Sequence, residues 1–157
     1  MPFYYDLSRE TTTNGTTQTI THHLAGITGT QVSAGVVGFY GNARHGTAGG
    51  GVIYCQRDSA APTGGTAATE NKKHPDNPTN TTGFVHDGTT ISVTSLSVQM
   101  TVGIAQTGGQ GGWVALERDM ALQLKANGGA NGNCVLSSKA IGTSVPVNVS
   151  VDWFENT

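Results

Sequence analysis

The feature that most constrains the fold is a strict alternation of apolar and polar residues near the C-terminus. The apolar positions are valines that end in a tryptophan, namely Val145, Val147, Val149, Val151 and Trp153. Proline, asparagine, serine and aspartate stand between them. Because successive side chains of a strand point to opposite faces, this period predicts a strand with one buried face. The other face is expected to meet water or a contact partner.

Composition extends this prediction to the rest of the chain. Glycine and threonine contribute 23 residues each of 157, and valine outnumbers leucine by 14 to 7. Glycine and β-branched residues disfavour helices, whereas they suit turns and pleated surfaces. About eight strand-like runs follow one another and are separated by turn signals. This spacing is typical of an antiparallel sandwich or barrel, built here as one domain over residues 1–157.

The longest strand-like run covers residues 89–105 and changes phase in its middle. Ile91 and Val93 share one parity, whereas Leu96 and the apolar residues after it share the other. A slip of one residue exchanges the two faces of a strand. We therefore expect at residues 94–95 either a bulge or a strand that passes from one sheet to the other.

A second alternating run, at residues 120–126, fits either a strand or one short helix. Apolar residues at strand spacing, Trp113 and Val114 among them, precede this run, and they favour the strand. Residues 117–119 are then expected to form the connecting turn.

Residues 58–88 do not fit a minimal sandwich. The stretch carries almost no apolar side chains, and it contains prolines, which cannot donate to a strand ladder. Loops this long inside a compact domain are usually functional or disordered. We interpret the stretch as an inserted extended loop, an arm that lies on a neighbouring subunit. The residues expected to make its inter-subunit contacts are Pro62, Pro75, Pro78, Thr81 and Phe84.

Charge and hydropathy exclude two classes of partner. The formal net charge is -2 and only 11% of residues are charged, so the chain has no basic stripe for nucleic acid. No apolar run approaches the roughly 18 residues that a bilayer span requires. The opening residues also lack the basic start and apolar stretch of a secretory signal. We expect neither nucleic acid nor a membrane as a partner.

The titratable residues form no clear catalytic or metal-binding constellation. Glu117 and Asp119 are close enough in sequence for a glycosidase pair, but a charged turn explains them equally well. Residues 76–80 offer oxygen ligands for calcium, although with few acids. We expect no enzymatic activity, no cofactor and no metal. A glycan hydrolase is the enzymatic alternative.

The histidines are expected to be structural. His22 and His23 are neighbours on a predicted strand, so their rings point to opposite faces and cannot share one metal ion. His86 belongs to a turn and is expected to face solvent. The alternative is a symmetric trimer that brings three copies of His22 or His45 to its axis.

Two cysteines, Cys55 and Cys134, are too few for a disulfide scaffold and lack zinc-site spacing. We expect free, half-buried thiols on strands, with a bridge between the two as the alternative. Among the few aromatic residues, Trp153 is expected in the core. Tyr4 and Trp113 are the aromatic residues expected at an interface.

Three segments of the last third follow one another along the chain, with a Gly/Asn-rich turn between the second and the third. They are Gly112-Trp113-Val114-Ala115-Leu116-Glu117, then Met120-Ala121-Leu122-Gln123-Leu124, then Pro146-Val147-Asn148-Val149-Ser150-Val151-Asp152-Trp153. Together they resemble the closing strands of small jelly-roll virion proteins of tailed bacteriophages. That group includes capsid decoration (cement) proteins and fibre-associated modules. The similarity covers residues 85–155, approximately.

The resemblance implies an all-β fold, an antiparallel jelly-roll-like β-sandwich of about eight strands with one long polar loop. It also implies a structural virion protein that is made in the host cytoplasm and carries no catalytic residues. The expected partner is the major capsid protein of the same particle, bound by a homo-oligomer that we expect to be a trimer. Residues 3–17 and 58–88 would then act as arms across the seams between subunits. The alternatives are a glycan-binding tip of a tail or head fibre and a shell-forming capsid subunit.

Overall fold

The computed structural model describes residues 2–13, 15–25, 33–43, 50–78, 85–88, 90–105, 109–125 and 129–156. These residues form twelve β-strands and one short 3₁₀ turn, Arg118–Met120. The strands are β1 (Phe3–Thr12), β2 (Thr19–Leu24), β3 (Ser33–Ala43), β4 (Gly50–Asp58), β5 (Thr66–Ala67), β6 (Asn71–Lys72), β7 (Val85–Asp87), β8 (Leu96–Ile104), β9 (Gln110–Val114), β10 (Leu122–Leu124), β11 (Cys134–Ile141) and β12 (Pro146–Asn156). The prediction of an all-β chain is confirmed.

The strands build two antiparallel sheets of six strands each. Sheet A has the order β10-β3-β12-β1-β6, and β9 also pairs with β3, beside β10. Sheet B has the order β5-β7-β2-β11-β4-β8. Apolar side chains from both sheets form one core between them, so the predicted antiparallel β-sandwich is confirmed.

The principal strands pair in a nested order along the chain. β1 pairs with β12, β2 with β11, β3 with β9 and β4 with β8, and every pair is antiparallel. The first strand therefore meets the last, and each strand further in meets its counterpart from the other end. The pattern is that of one long hairpin whose two arms are wound together.

The C-terminal alternation forms β12, which lies between β3 and β1 in sheet A. Val147, Val149, Val151 and Trp153 have no exposed surface, whereas most of the residues between them are partly exposed. The ring of Trp153 stacks on that of Tyr5, with the two centroids 5.7 Å apart. Full burial of such side chains contributes roughly 1.5–3 kcal/mol each, so this face anchors the sandwich.

Residues 59–78, which we name the crossing segment, run from the edge of sheet B to the edge of sheet A. β5 adds to sheet B by pairing with β7, and β6 adds to sheet A by pairing with β1. The expectation that the prolines prevent regular pairing here is wrong for these two short stretches, because the paired residues lie between the prolines. The crossing segment therefore covers one open side of its own sandwich.

The phase change in residues 89–105 marks a break in the chain and not a continuous strand. β8 begins only at Leu96, and Ser92 makes an isolated bridge to Thr63. The buried Asp58 carboxylate accepts hydrogen bonds from the backbone N–H groups of Thr94 and Ser95, at 2.9 and 2.8 Å. Neither the predicted bulge nor the predicted crossing between sheets is present at residues 94–95, because the carboxylate holds the chain in a turn at that point.

The predicted strand at residues 120–126 is shorter than expected. Met120 belongs to the 3₁₀ turn, and the strand is confined to β10, which pairs with the start of β3.

Across the described ranges, no helix is long and apolar enough to cross a membrane.

Candidate functional site

The outer face of sheet A presents three rows of side chains that run across β1, β12, β3 and β9. Directly paired positions define each row. The first row contains Glu10, Asn148, Asn42 and Gln110; the second contains Ser8, Ser150, Tyr40 and Gly112; the third contains Asp6, Asp152, Gly38 and Val114. On each strand these positions alternate with buried ones. The same alternation therefore places apolar side chains in the core and polar side chains on this outer face.

The third row carries two carboxylates, those of Asp6 and Asp152, in addition to that of Glu10 in the first row. Lys73, from the crossing segment, lies 3.0 Å from a carboxylate oxygen of Asp6 and 3.4 Å from one of Asp152. Burial raises the pKa of Asp152 despite the nearby ammonium. Burial opposes the charge on Lys73, yet its hydrogen bond to Asp6 and the charge of Asp152 leave its pKa raised. The cluster fastens the crossing segment to β1 and β12.

Two glycines allow the ring of Tyr40 to lie along the sheet. A Cβ atom on Gly112 would stand 2.6 Å from a ring carbon of Tyr40, and one on Gly38 would stand 2.8 Å from its hydroxyl. The ring therefore occupies the space that side chains at these two positions would fill. Burial raises the pKa of the Tyr40 hydroxyl, and the hydrogen-bonded Asp152 raises it further.

A groove of about 360 Å³ lies beside this ring, and we name it the sheet-A groove. Its lining consists of Tyr40, Gly41, Asn42, Gln110, Gly111, Gly112, Asn148 and Ser150. None of these side chains is charged, and three of them are amides that offer both a donor and an acceptor. The Oδ1 atom of Asn148 is buried and accepts no hydrogen bond within the described part of the chain.

A second feature lies at one corner of sheet A, where β9 ends. Val114, Leu116 and Met120 are 53%, 88% and 59% exposed. Glu117 and Asp119 are exposed beside them, on the turn that the sequence predicts there. We name this cluster the acid-rimmed corner. Both carboxylates belong to exposed residues.

The two aromatic residues expected at an interface lie in different settings. Trp113 points inward and is half-buried, with its ring centroid 5.9 Å from that of Phe39. Tyr4 is 38% exposed on the outer face, where its ring lies 6.3 Å from that of Phe154. Trp113 closes the side of the core near β8, whereas Tyr4 remains available for a contact.

The contact residues predicted within the stretch 58–88 lie in different environments. Pro62 is buried, whereas Pro75 and Pro78 are exposed. The carbonyl of Pro78 accepts a hydrogen bond of 3.0 Å from the hydroxyl of Tyr5, whose pKa burial raises to about 12. Thr81 and Phe84 lie outside the described residues.

The N-terminal part of the chain is not an arm as predicted. Residues 3–12 form β1, which pairs with β12 over its whole length and with β6 on its other side. Further bonds tie the crossing segment to it: Lys73 N–H and the Asn77 amide both donate to the Tyr4 carbonyl. β1 is thus an integral strand of its own sheet, and β6 covers its other edge at Tyr5 and Asp6.

Two histidines, His23 and His86, come together where β2 meets β7, and His22 lies next to His23 on β2. The rings of His23 and His86 stack with centroids 4.6 Å apart, and Nε2 of His23 lies 3.1 Å from the Gly64 carbonyl. His86 is half-buried and not solvent-facing as predicted, because the crossing segment brings Gly64 and β5 against this edge. His22 faces the opposite side, as predicted, and is fully buried.

Burial controls the charge of these rings. It lowers the pKa values of His22 and His23 to about 4, and it lowers that of His86 as well. No group of three or more metal-ligating side chains occurs among the residues that the structure describes. His45 lies outside them.

The cysteines are free thiols, as expected, but they are fully buried and not half-buried. Their sulfur atoms lie 3.5 Å apart between β4 and β11. The hydrogen bond with Cys55 and burial both raise the pKa of Cys134. Neutral thiols in this setting act as core side chains.

A scan against models of protein families finds none that matches this chain. A search of curated proteins finds no significant match either.

Proposed function

We propose that this chain is a structural virion protein, a decoration protein that stabilises a phage head by binding the shell. The nested pairing of the principal strands supports this proposal, since a hairpin wound in this way gives the strand order of a jelly roll. Small jelly rolls of this kind use their surfaces to contact other proteins. The proposed partner is the major capsid protein of the same particle.

The acid-rimmed corner is the observation that carries the proposal. Leu116 is 88% exposed, and Val114 and Met120 beside it are more than half exposed. Leaving such side chains in water costs free energy that a contact would recover. In sequence, the adjoining residues 117–119 carry a formal net charge of -1. A second copy of the corner would repeat this charge, so a shell surface with an apolar centre and a basic rim fits better.

The proposed mechanism is mechanical. Each corner contributes a small contact, but many copies hold the same lattice, and rupture then requires the loss of several contacts at once. The crossing segment and β7 both lie on their own subunit, so the seam-spanning role of residues 58–88 is proposed only for residues 79–84, which lie outside the described residues. A trimer remains the proposed assembly, and the particle is the proposed location.

The test is co-sedimentation with shells of the same particle that have been stripped of this protein. The double variant Leu116→Asp, Met120→Asp is expected to bind at least tenfold more weakly than the unaltered chain. Val98→Asp is the matched control, because Val98 is 49% exposed on sheet B. Equal binding by the double variant, or no binding by the unaltered chain, would overturn the proposal.

A second candidate is a receptor-binding module at the tip of a tail or head fibre, and the sheet-A groove favours it. Copy number distinguishes the two functions. A decoration protein is present in hundreds of copies per particle, whereas fibres carry a few tens at most. Quantitative mass spectrometry of the native particle measures this number directly.

A further inference from the structure

We infer that the sheet-A groove binds a neutral sugar ring. The inference is independent of shell binding, because the groove and the acid-rimmed corner share no residue. It rests on the shape of the groove, the chemistry of its lining and the charges around it.

The size of the groove suits one small ligand. Its volume of about 360 Å³ lies at the lower end of the roughly 300–1,000 Å³ of small-molecule sites. The backbone of Gly41, Gly111 and Gly112 forms much of its floor, so a ligand can approach the sheet closely.

The lining offers the two kinds of contact that a pyranose requires. The ring of Tyr40 lies along the sheet and presents an apolar face for the C–H face of a sugar. The amides of Asn42, Gln110 and Asn148 stand along one neighbouring row. Each amide can both donate and accept, which matches adjacent hydroxyl groups.

The buried Oδ1 atom of Asn148 supplies independent support. A buried acceptor without a donor is costly, and native structures contain few of them. Almost none of the surface of Oδ1 is accessible, so a ligand hydroxyl would reach this acceptor, and remove the cost, only after the Asn148 amide turns toward the groove that it lines.

The surrounding charges select against anionic ligands. Asp152 accepts the hydrogen bond of the Tyr40 hydroxyl, and Glu10 is paired with Asn148 on β1. The nearby ammonium, that of Lys73, is engaged by Asp6 and Asp152. Sialylated sugars, uronic acids and nucleotides would meet these carboxylates, so the ligand is expected to be neutral.

The first experiment is a printed array of neutral, sialylated and uronic-acid glycans, followed by calorimetric titration of the best neutral hit. We expect saturable binding of a neutral glycan, with adenosine as a competitor having no effect. No saturable binding up to roughly 10 mM, a preference for acidic glycans, or displacement by adenosine would overturn the inference.

Variants of the chain then locate the site. Tyr40→Ala and the double variant Gln110→Ala, Asn148→Ala are each expected to weaken glycan binding at least tenfold. Tyr40→Phe keeps the ring and is expected to stay within about threefold of the unaltered chain. Gln99→Ala removes an exposed amide from sheet B and serves as the matched control. Unchanged binding in the first two variants would exclude this groove.

Asn148→Ala alone separates ligand binding from a structural role. Because it removes the unpartnered acceptor, we expect it to keep or raise the melting temperature of the free protein while it weakens glycan binding. A fall in melting temperature with unchanged binding would show that Asn148 serves the fold alone, against the inference.

Discussion

Single buried residues determine how this sandwich responds to its surroundings, and His22 and His23 are the plainest case. Both rings are buried on β2, one on each face of sheet B. Asp87 favours the protonated form of His22, whereas Arg9 opposes it, and the stacked His86 opposes protonation of His23. Burial outweighs these charges in both rings and keeps them neutral.

Stability is therefore expected to fall as the pH is lowered from about 6.5 to about 4. The folded-state pKa of each ring is about 4, below the ordinary value of 6.5, so only the unfolded chain takes up protons in this window. Each ring removes up to about 3 kcal/mol from the free energy of unfolding by pH 4. Urea denaturation at a series of pH values measures this slope.

His22→Gln is expected to flatten that slope, since glutamine does not titrate. His74→Gln is the matched control, because His74 is exposed. Equal slopes in the two variants would contradict the assignment of the acid sensitivity to burial of the ring.

At the scale of strands, glycines decide where the two sheets approach one another. β8 and β9 are edge strands of different sheets, and they meet where Gly111 faces the backbone of Gly103. A Cβ atom on Gly111 would overlap the carbonyl oxygen of Gly103, which belongs to the backbone and cannot turn away. A Cβ atom on Gly103 itself would meet nothing within 4 Å.

Gly111→Ala is therefore expected to lower the free energy of unfolding by about 1–3 kcal/mol, because it forces β8 and β9 apart. Gly103→Ala is the matched control, with an expected change within about 0.5 kcal/mol. Thermal or urea denaturation of both variants makes the comparison. Similar losses in both would mean that the close approach of the two strands does not govern stability here.

The strands were predictable where side chains alternate, and much less so where the chain depends on distant partners. The period of residues 145–153 identifies β12 because it depends only on neighbours along the strand. The break within the longest run, residues 89–105, depends on Asp58, which is 36 and 37 residues away from its two backbone donors. No local pattern reports such a bond.

The candidate site likewise combines features that a local pattern predicts with features that depend on distant residues. The sequence analysis predicted Tyr4 and Trp113 at an interface, but it did not identify Tyr40 or the amides of Asn42, Gln110 and Asn148. These three amides stand on three strands, and only the register between the strands makes them neighbours. The only local signal in the sequence was glycine at positions 38 and 112, because a strand glycine leaves room for a large neighbouring side chain such as Tyr40.

For the whole molecule, the nested winding brings the two ends of the described chain together. Phe3 is paired with Glu155 at the edge of the β1–β12 ladder. The first and last strands of the sandwich therefore pair with each other, and the two ends of the described chain lie at the same end of this ladder.

Joining residue 157 to residue 1 through a short glycine linker is expected to raise the melting temperature by several degrees. Closure reduces the conformational entropy of the unfolded chain, with an upper bound of about 5 kcal/mol for a loop of this size. A linear chain that carries the same linker is the control. An unchanged or lower melting temperature in the cyclic form would contradict the adjacency of the two ends. Calorimetry of both forms decides the matter.

The pairing of β1 with β12 also has a consequence for synthesis. While the ribosome adds residues at roughly 5–20 per second, β1 emerges many seconds before its partner exists. During that interval Tyr5 and Leu7 have no Trp153 or Val151 to cover them. The exposed apolar side chains of the nascent strand can then bind chaperones or aggregate. Production of this protein in quantity should accordingly depend on how well the cell shields an unfinished chain.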